Sequence, residues 1–253
     1  MAPIPWYYMW SEKYRFFYEI MKDTANQPEF ELRPIHVPQE RFDDELYKAK
    51  GEHFWYGSLI KVDMVINSLV ECIAKGDPYL LFTDIDIVVK PGVYDALKPY
   101  IDADNDMVFL KEGAHTNIGF ILLKASESVI SFWKTIRSMM IEKEGLDQVY
   151  IHQMLDSYPG KWTHFDNQVF ACTNTWTGSK PFVMIQLLCS RIGMDEGLEK
   201  EFNMAEKVFV AAQYMEIEPY MKYVTLDVIP FIYRFQEIYI RSHQQAKRDA
   251  VNS

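Results

Sequence analysis

From Pro78 to Gly92 the chain reads PYLLFTDIDIVVKPG, an apolar run interrupted by two carboxylates one residue apart. Tyr79 to Phe82 have the unbroken apolar character of a central strand, and Ile85, Ile87, Val88 and Val89 resume it. A strand apolar on both faces must be covered on both, which points to a sheet with layers packed against it. On extended backbone, side chains at i and i+2 point the same way, so Asp84 and Asp86 are expected to face one cation. Two ionised carboxylates in apolar surroundings are costly, because each loses hydration and each raises the other's pKa. A divalent ion neutralises them. Hard oxygen ligands suit magnesium or manganese, which keep waters and bridge to substrate phosphates. The competing reading is a surface turn with two solvated aspartates; the flanking apolar runs favour the site.

Composition bounds the rest. At 253 residues and 49% apolar content the chain has ample material for a core, as one large α/β domain or two small ones. Its 26 basic and 36 acidic side chains give 26 − 36 = −10, which argues against nucleic acid or an anionic membrane surface as partner. Cys72, Cys172 and Cys189 are too few and too scattered for a disulfide framework or metal knuckle, and read as buried thiols. No basic segment precedes a long apolar run, and no stretch approaches the roughly 20 apolar residues of a membrane span. The chain therefore reads as soluble, with the cytoplasm as default; a luminal enzyme cut free of an anchor would read the same.

In chain order, Ile4 to Trp10 is an aromatic first strand, and Ser11 is placed to cap a helix carrying Tyr14, Phe17, Tyr18 and Met21. Core packing accounts for Trp6, Tyr7, Tyr8 and Trp10. Phe30 to Val37 reads as a second strand, with Pro34 favouring an edge, and Pro38 to Gly51 as an exposed loop. Leu59, Val62, Ile66, Leu69 and Ile73 share one helical face before Gly76-Asp77-Pro78 stops the helix. Further on come a short helix over Val93 to Ile101, a strand over Met107 to Leu110, and His115 to Lys124 (HTNIGFILLK), a polar turn leading into a strand. Asp102, Asp104 and Asp106 fail as a calcium loop, since Met107 and Gly113 stand where Gly and Glu are needed, and read as a solvated turn. A helix over Ser126 to Ile141 is followed by LDQVYIHQML, with Asp147 and Gln148 in a first helical turn. The aromatics, amides and hydroxyls of Trp162 to Val183 suit either an acceptor surface or two ordinary strands with a turn at Gly178. Helices over Met194 to Ile217 and Ile229 to Lys247 complete the reading. Alternating strands and helices predict a mainly parallel sheet that binds ligands beyond the carboxyl ends of its strands.

GSLIKVDMVI, FTDIDIVVKPG, NIGFILLK and LDQVYIHQML, in that order, resemble the nucleotide-diphospho-sugar glycosyltransferases of GT-A fold, and more narrowly their plant, algal and viral group allied to retaining galactosyl- and xylosyltransferases. The resemblance spans roughly residues 4 to 175 and rests on several short motifs. It implies a single GT-A-like domain over 1–253, with a nucleotide-sugar and metal half at 4–125 and an acceptor half at 126–253. Asp84 and Asp86 match the Asp-x-Asp element that holds manganese or magnesium, Asp84 also approaching the ribose. Lys61 would meet the diphosphate or donor sugar, and Ser11 and Tyr14 fall where base and ribose lie. Asn117 would border the sugar of a UDP- or GDP-sugar, with Asp147 and Gln148 beneath its reacting carbon. The implied activity is metal-dependent, retaining transfer of a sugar to a glycan or other hydroxyl acceptor. Since an amide such as Gln148 is a poor nucleophile, the expectation is front-face transfer in which the leaving phosphate takes the hydroxyl proton. The family's late His-x-x-Gly-x-x-Lys, whose histidine completes the metal site, is missing. Two rivals are a haloacid-dehalogenase-like phosphatase, on the strength of LLFTDIDIVV, and a non-catalytic carbohydrate-binding module that keeps the fold.

Overall fold

The structure is a computed structural model that describes residues 2–38, 56–188 and 199–237. The chain divides into two compact units, Met1–Gln186 and Leu187–Ser253. The first carries β1 (Ile4–Trp10), α1 (Arg15–Thr24), β2 (Phe30–His36), α2 (Tyr56–Lys75), β3 (Tyr79–Thr83), β4 (Ile87–Val89), α3 (Val93–Asp102), β5 (Met107–Glu112) and β6 (His115–Lys124). It continues through α4 (Glu127–Lys143), α5 (Asp147–Leu155), β7 (Trp162–His164), β8 (Phe170–Cys172) and β9 (Met184–Gln186).

As the alternation of elements predicts, the unit is a mixed α/β sheet, mainly parallel and flanked by helices. Six strands run in the order β2-β1-β3-β6-β5-β7. β1 pairs parallel with β2 and β3, β6 is antiparallel to β3 and β5, and β7 is parallel to β5. Five strands therefore end at one edge, and β6 begins there. β2, with Pro34, is the outermost strand at its end of the sheet, where a missing backbone donor costs least.

The apolar stretch around the two aspartates is not one strand. β3 is buried throughout, but Ile85 and Asp86 form a bend and β4 pairs with β9 in a separate three-stranded sheet, β4-β9-β8. The extended geometry expected to align Asp84 with Asp86 is absent; the chain turns there from one sheet into another. Apolar character alone cannot mark this point, because both strands are fully buried.

The helical face read from the sequence is the buried one. Leu59, Val62, Leu69 and Cys72 of α2 are fully covered, packed in one cluster with Leu80, Phe82 and Ile121 of the sheet and with Val129, Trp133 and Ile136 of α4. The Ser126 hydroxyl accepts the Val129 N–H and caps α4. Ser11 precedes a short 3-10 helix, Glu12–Tyr14, yet its side chain makes no capping bond; its carbonyl accepts from Tyr14 N (2.8 Å) instead. Trp6, Tyr7 and Tyr8 are core, and the Trp6 indole donates to the buried Thr83 hydroxyl (3.0 Å). Asp104 and Asp106 are more than a solvated turn. Asp104 pairs with Lys124 (2.8 Å) and accepts from Tyr79, and Asp106 accepts from Tyr158 and the Lys161 N–H.

In the second unit, α6 covers Glu199–Ala211, followed by a 3-10 helix, Glu218–Tyr223, and a helix over 229–237. α6 stops at Ala211 rather than at Ile217, because the chain turns back with Met215 N on Ala211 O (3.1 Å) and Pro219 opens the next turn. The loop read at Pro38 to Gly51 lies, from residue 39 on, outside the described residues, as do Cys189 and the ends read at 194–198 and 238–247. Cys72 and Cys172 are buried free thiols, as expected. Among the described residues no helix is long and apolar enough to cross a membrane.

Candidate active site

Parallel register sets the geometry. Tyr8 of β1 lies beside Thr83 of β3, so Ser11, three residues past Tyr8, and Asp84 both leave the sheet at its carboxyl edge. The Asp84 N–H donates to Gly119 O of β6 (2.8 Å), one last ladder bond before the chain bends away. From the N-terminal half of α2, Lys61 reaches the same place. Its side chain is 8% exposed, and its ammonium meets Asp84 Oδ1 at 2.5 Å.

A third member comes from α5. Asp147 is 5% exposed, and burial drives its pKa above the usual carboxylate range. The nearby Lys61 ammonium opposes that rise, as do bonds from the Gln148 N–H (2.8 Å) and the Ser58 hydroxyl, while the Asp84 charge adds to it. The Lys61 ammonium thus bonds Asp84 and favours the charged form of Asp147. Asp86 is itself buried, at 6% exposure.

Gln186, a residue the sequence reading missed, closes the group. Its amide donates to Asp84 Oδ2 (3.0 Å), and the Cys172 thiol points at its carbonyl oxygen (3.9 Å). Burial, then the charges of Glu112 and Asp86, push the Cys172 pKa up to about 12, so it stays a neutral thiol. Gly119 is small for the same reason: a Cβ there would stand 2.0 Å from Gln186 Nε2. The one available signal was a lone amide in the apolar run Val183 to Leu187.

Asn117 lies near the start of β6. It is 1% exposed, receives the Gly119 N–H (2.6 Å) and donates to Glu112 (2.8 Å). Asn174 holds the other Glu112 oxygen (2.7 Å). Beside them Thr116 bonds His164 (2.9 Å), whose pKa is lowered by burial and by the Lys111 and His152 charges. Lys61, Asp84 and Asp147 are therefore brought together. Asp86 lies in the bend after Asp84 and Asn117 on β6, the Gln148 N–H donates to Asp147 Oδ1, and Ser11 and Tyr14 follow β1 at the same edge.

Among the described residues no group of three or more His, Cys, Asp or Glu side chains is arranged to hold a metal. Magnesium and manganese commonly take only one or two protein carboxylates, with phosphate oxygens and water completing the shell, and Asp84 and Asp86 are the residues that would supply them here. A cavity of about 340 Å³ beside the far half of α2 is a different matter. Its guanidinium, Arg33, is already paired with Glu31, Glu71 and Asp77, so the lining charges are satisfied among themselves.

The mixed, mainly parallel sheet with helices on its faces is shared with a solved glycosyltransferase structure. The solved structure of a glycosyltransferase involved in the glycosylation of the major capsid of PBCV-1 superposes with a TM-score of 0.55 at 12% identity, covering 75% of this chain and 96% of that one. Mouse xyloside xylosyltransferase 1, in its apo form, gives 0.47 at 11% identity over 74% and 98%. No protein-family model and no curated protein matches the chain. At such identity the first likeness establishes a shared fold; what the chain does is argued from its side chains.

Proposed function

We propose that the protein is a metal-dependent glycosyltransferase of retaining type that moves a sugar from a nucleotide-diphosphate donor, UDP- or GDP-linked, to a hydroxyl acceptor. The observation that carries this reading is the buried Lys61 ammonium bonded to Asp84 and acting on Asp147 at the carboxyl edge of the sheet, with Asp86 buried in the bend that follows Asp84.

Departure of a nucleoside diphosphate builds negative charge on its β-phosphate, and groups that meet this charge more strongly in the transition state than in the ground state lower the barrier. Lys61 is such a group: the cluster holds its ammonium fixed, and low exposure keeps water from screening it. Manganese or magnesium, when bound by Asp84 and Asp86, would add electrostatic stabilisation of the same kind. Gln186 fixes the Asp84 carboxylate in one orientation. The carboxylate of Asp147 and the amide of Gln148 would face the anomeric carbon as positive charge develops there. An amide is a poor nucleophile, so the reading is front-face transfer, in which the leaving phosphate takes the acceptor hydroxyl's proton. Trp10 stacked on Tyr18 (4.1 Å), next to Ser11 and Tyr14, offers an aromatic shelf for the base.

The test is Asp86→Asn in a transfer assay with UDP- and GDP-sugars and manganese. Turnover should fall by at least about 100-fold, with an unchanged denaturation midpoint. Undiminished turnover rejects the site.

A further inference from the structure

Glu112 takes part in none of the roles above. It ends β5, at the edge where β1 and β3 also end, with β6 between β5 and the β3 that leads into Asp84. Its charge and that of Asp86 both act on the Cys172 thiol. Both of its oxygens are held, Oε2 by Asn117 Nδ2 (2.8 Å) and Oε1 by Asn174 Nδ2 (2.7 Å). The Asn117 amide is oriented in turn by the Gly119 N–H on its Oδ1 (2.6 Å), so its NH2 rather than its oxygen faces Glu112. A carboxylate offers about four lone-pair sites, and these two amides take one on each oxygen. Two acceptor sites remain, side by side on a group whose orientation is fixed.

Resting on the glycosyltransferase reading, we propose that Glu112 reads a vicinal diol of a sugar, accepting one hydroxyl hydrogen bond on each oxygen. Two adjacent hydroxyls are the complement of two adjacent, preoriented acceptors, and bonds to a charged group are the stronger kind. The diol belongs to the acceptor or to the donor sugar, and the experiment assigns which.

Wild type, Glu112→Gln and Asn174→Ala are assayed for transfer from UDP- and GDP-sugars with manganese to methyl glucoside, galactoside, mannoside and xyloside, and to their monodeoxy analogues. Binding of free UDP and GDP serves as the control for folding. Glu112→Gln should lower kcat/KM by about 10- to 100-fold, and the exposed Asn174→Ala by a smaller factor of the same kind. If the rise in KM falls on the glycoside the diol is the acceptor's, and if it falls on the nucleotide sugar it is the donor's. The decisive signature is coupling. Removing one hydroxyl of the diol should cost the wild type most of that factor and Glu112→Gln almost nothing more. Equal discrimination by both proteins, or transfer by Glu112→Gln at the wild-type rate, overturns the inference while leaving the parent reading intact. So does a wild type that hydrolyses the donor but transfers to no pyranoside. A wild type that binds no nucleotide sugar with or without manganese defeats the parent reading, and this inference with it.

Discussion

Asp147 carries the clearest pH signature of any single residue. Its folded pKa lies above the unfolded value because burial penalises the charged form more than Lys61 and the hydrogen bonds favour it. Between the two values the folded state binds more protons than the unfolded, so this group's stabilising contribution is full below the ordinary carboxylate range and is lost as pH rises through the folded pKa. Asp147→Asn removes that dependence. Denaturation from pH 4 to 8 should show the variant gaining on the wild type as pH rises, while its transfer activity is lost; a constant difference across the range would remove Asp147 from this role. Gly119 supplies a second prediction. A methyl at this position collides with the Gln186 amide, so Gly119→Ala should cost about 1–3 kcal/mol and loosen Gln186 from Asp84, and Gln186→Ala should restore most of that in a double-mutant cycle. Additive losses would show that the two do not meet. The residues the sequence reveals are those whose meaning is local: Asp84, Asp86, Lys61 and Asp147 each sit in a short recognisable spelling. Gln186 and Glu112 do not. Gln186 meets Asp84 across 102 positions, and Glu112 is defined by two asparagines, one of which lies 62 residues away.

At the level of elements, periodicity finds what amphipathic packing enforces and misses what burial on all sides erases. The face of α2 was legible because its buried apolar residues recur at helical spacing, while Asn67, Val70, Ala74 and Lys75 stay exposed. The break between β3 and β4 was not, since both strands are buried throughout and the change of sheet shows only in their partners, β6 and β9. The end of α6 was misjudged because its apolar residues run on past Ala211 while the backbone turns. The α2–α4 contact allows a third prediction. Trp133 is wholly buried there, and its indole N–H finds no acceptor among the described residues. Trp133→Phe removes that desolvated donor as well as some volume, so it should cost no more than about 1 kcal/mol, against about 3–5 for Trp133→Ala. A loss of several kcal/mol for the phenylalanine variant in urea denaturation would mean that the indole nitrogen is bonded.

For the molecule as a whole, charge and fold meet at one edge of one sheet. Several surface carboxylates, Glu31 beside Arg33, Glu71 beside Lys75, Asp104 beside Lys124 and Asp166 beside Lys180, are held below their usual pKa by those partners. Their contribution has the opposite sign to that of Asp147. It is present above the ordinary carboxylate range and lost as pH falls through the lowered values, so the wild type should weaken in acid below about pH 4. In a chain of net charge −10 the buried Lys61 stands out as a cation at the edge proposed to meet an anionic ligand. The central claim is that this edge binds a nucleoside diphosphate through a divalent ion. Calorimetric titration of UDP and GDP into the wild type and Asp86→Asn, with manganese and with chelator, tests it most directly. One nucleotide should bind the wild type at least about 10-fold more tightly with manganese, and Asp86→Asn should lose that difference. Equal affinity with and without the metal, or no binding of either nucleotide, would contradict the account.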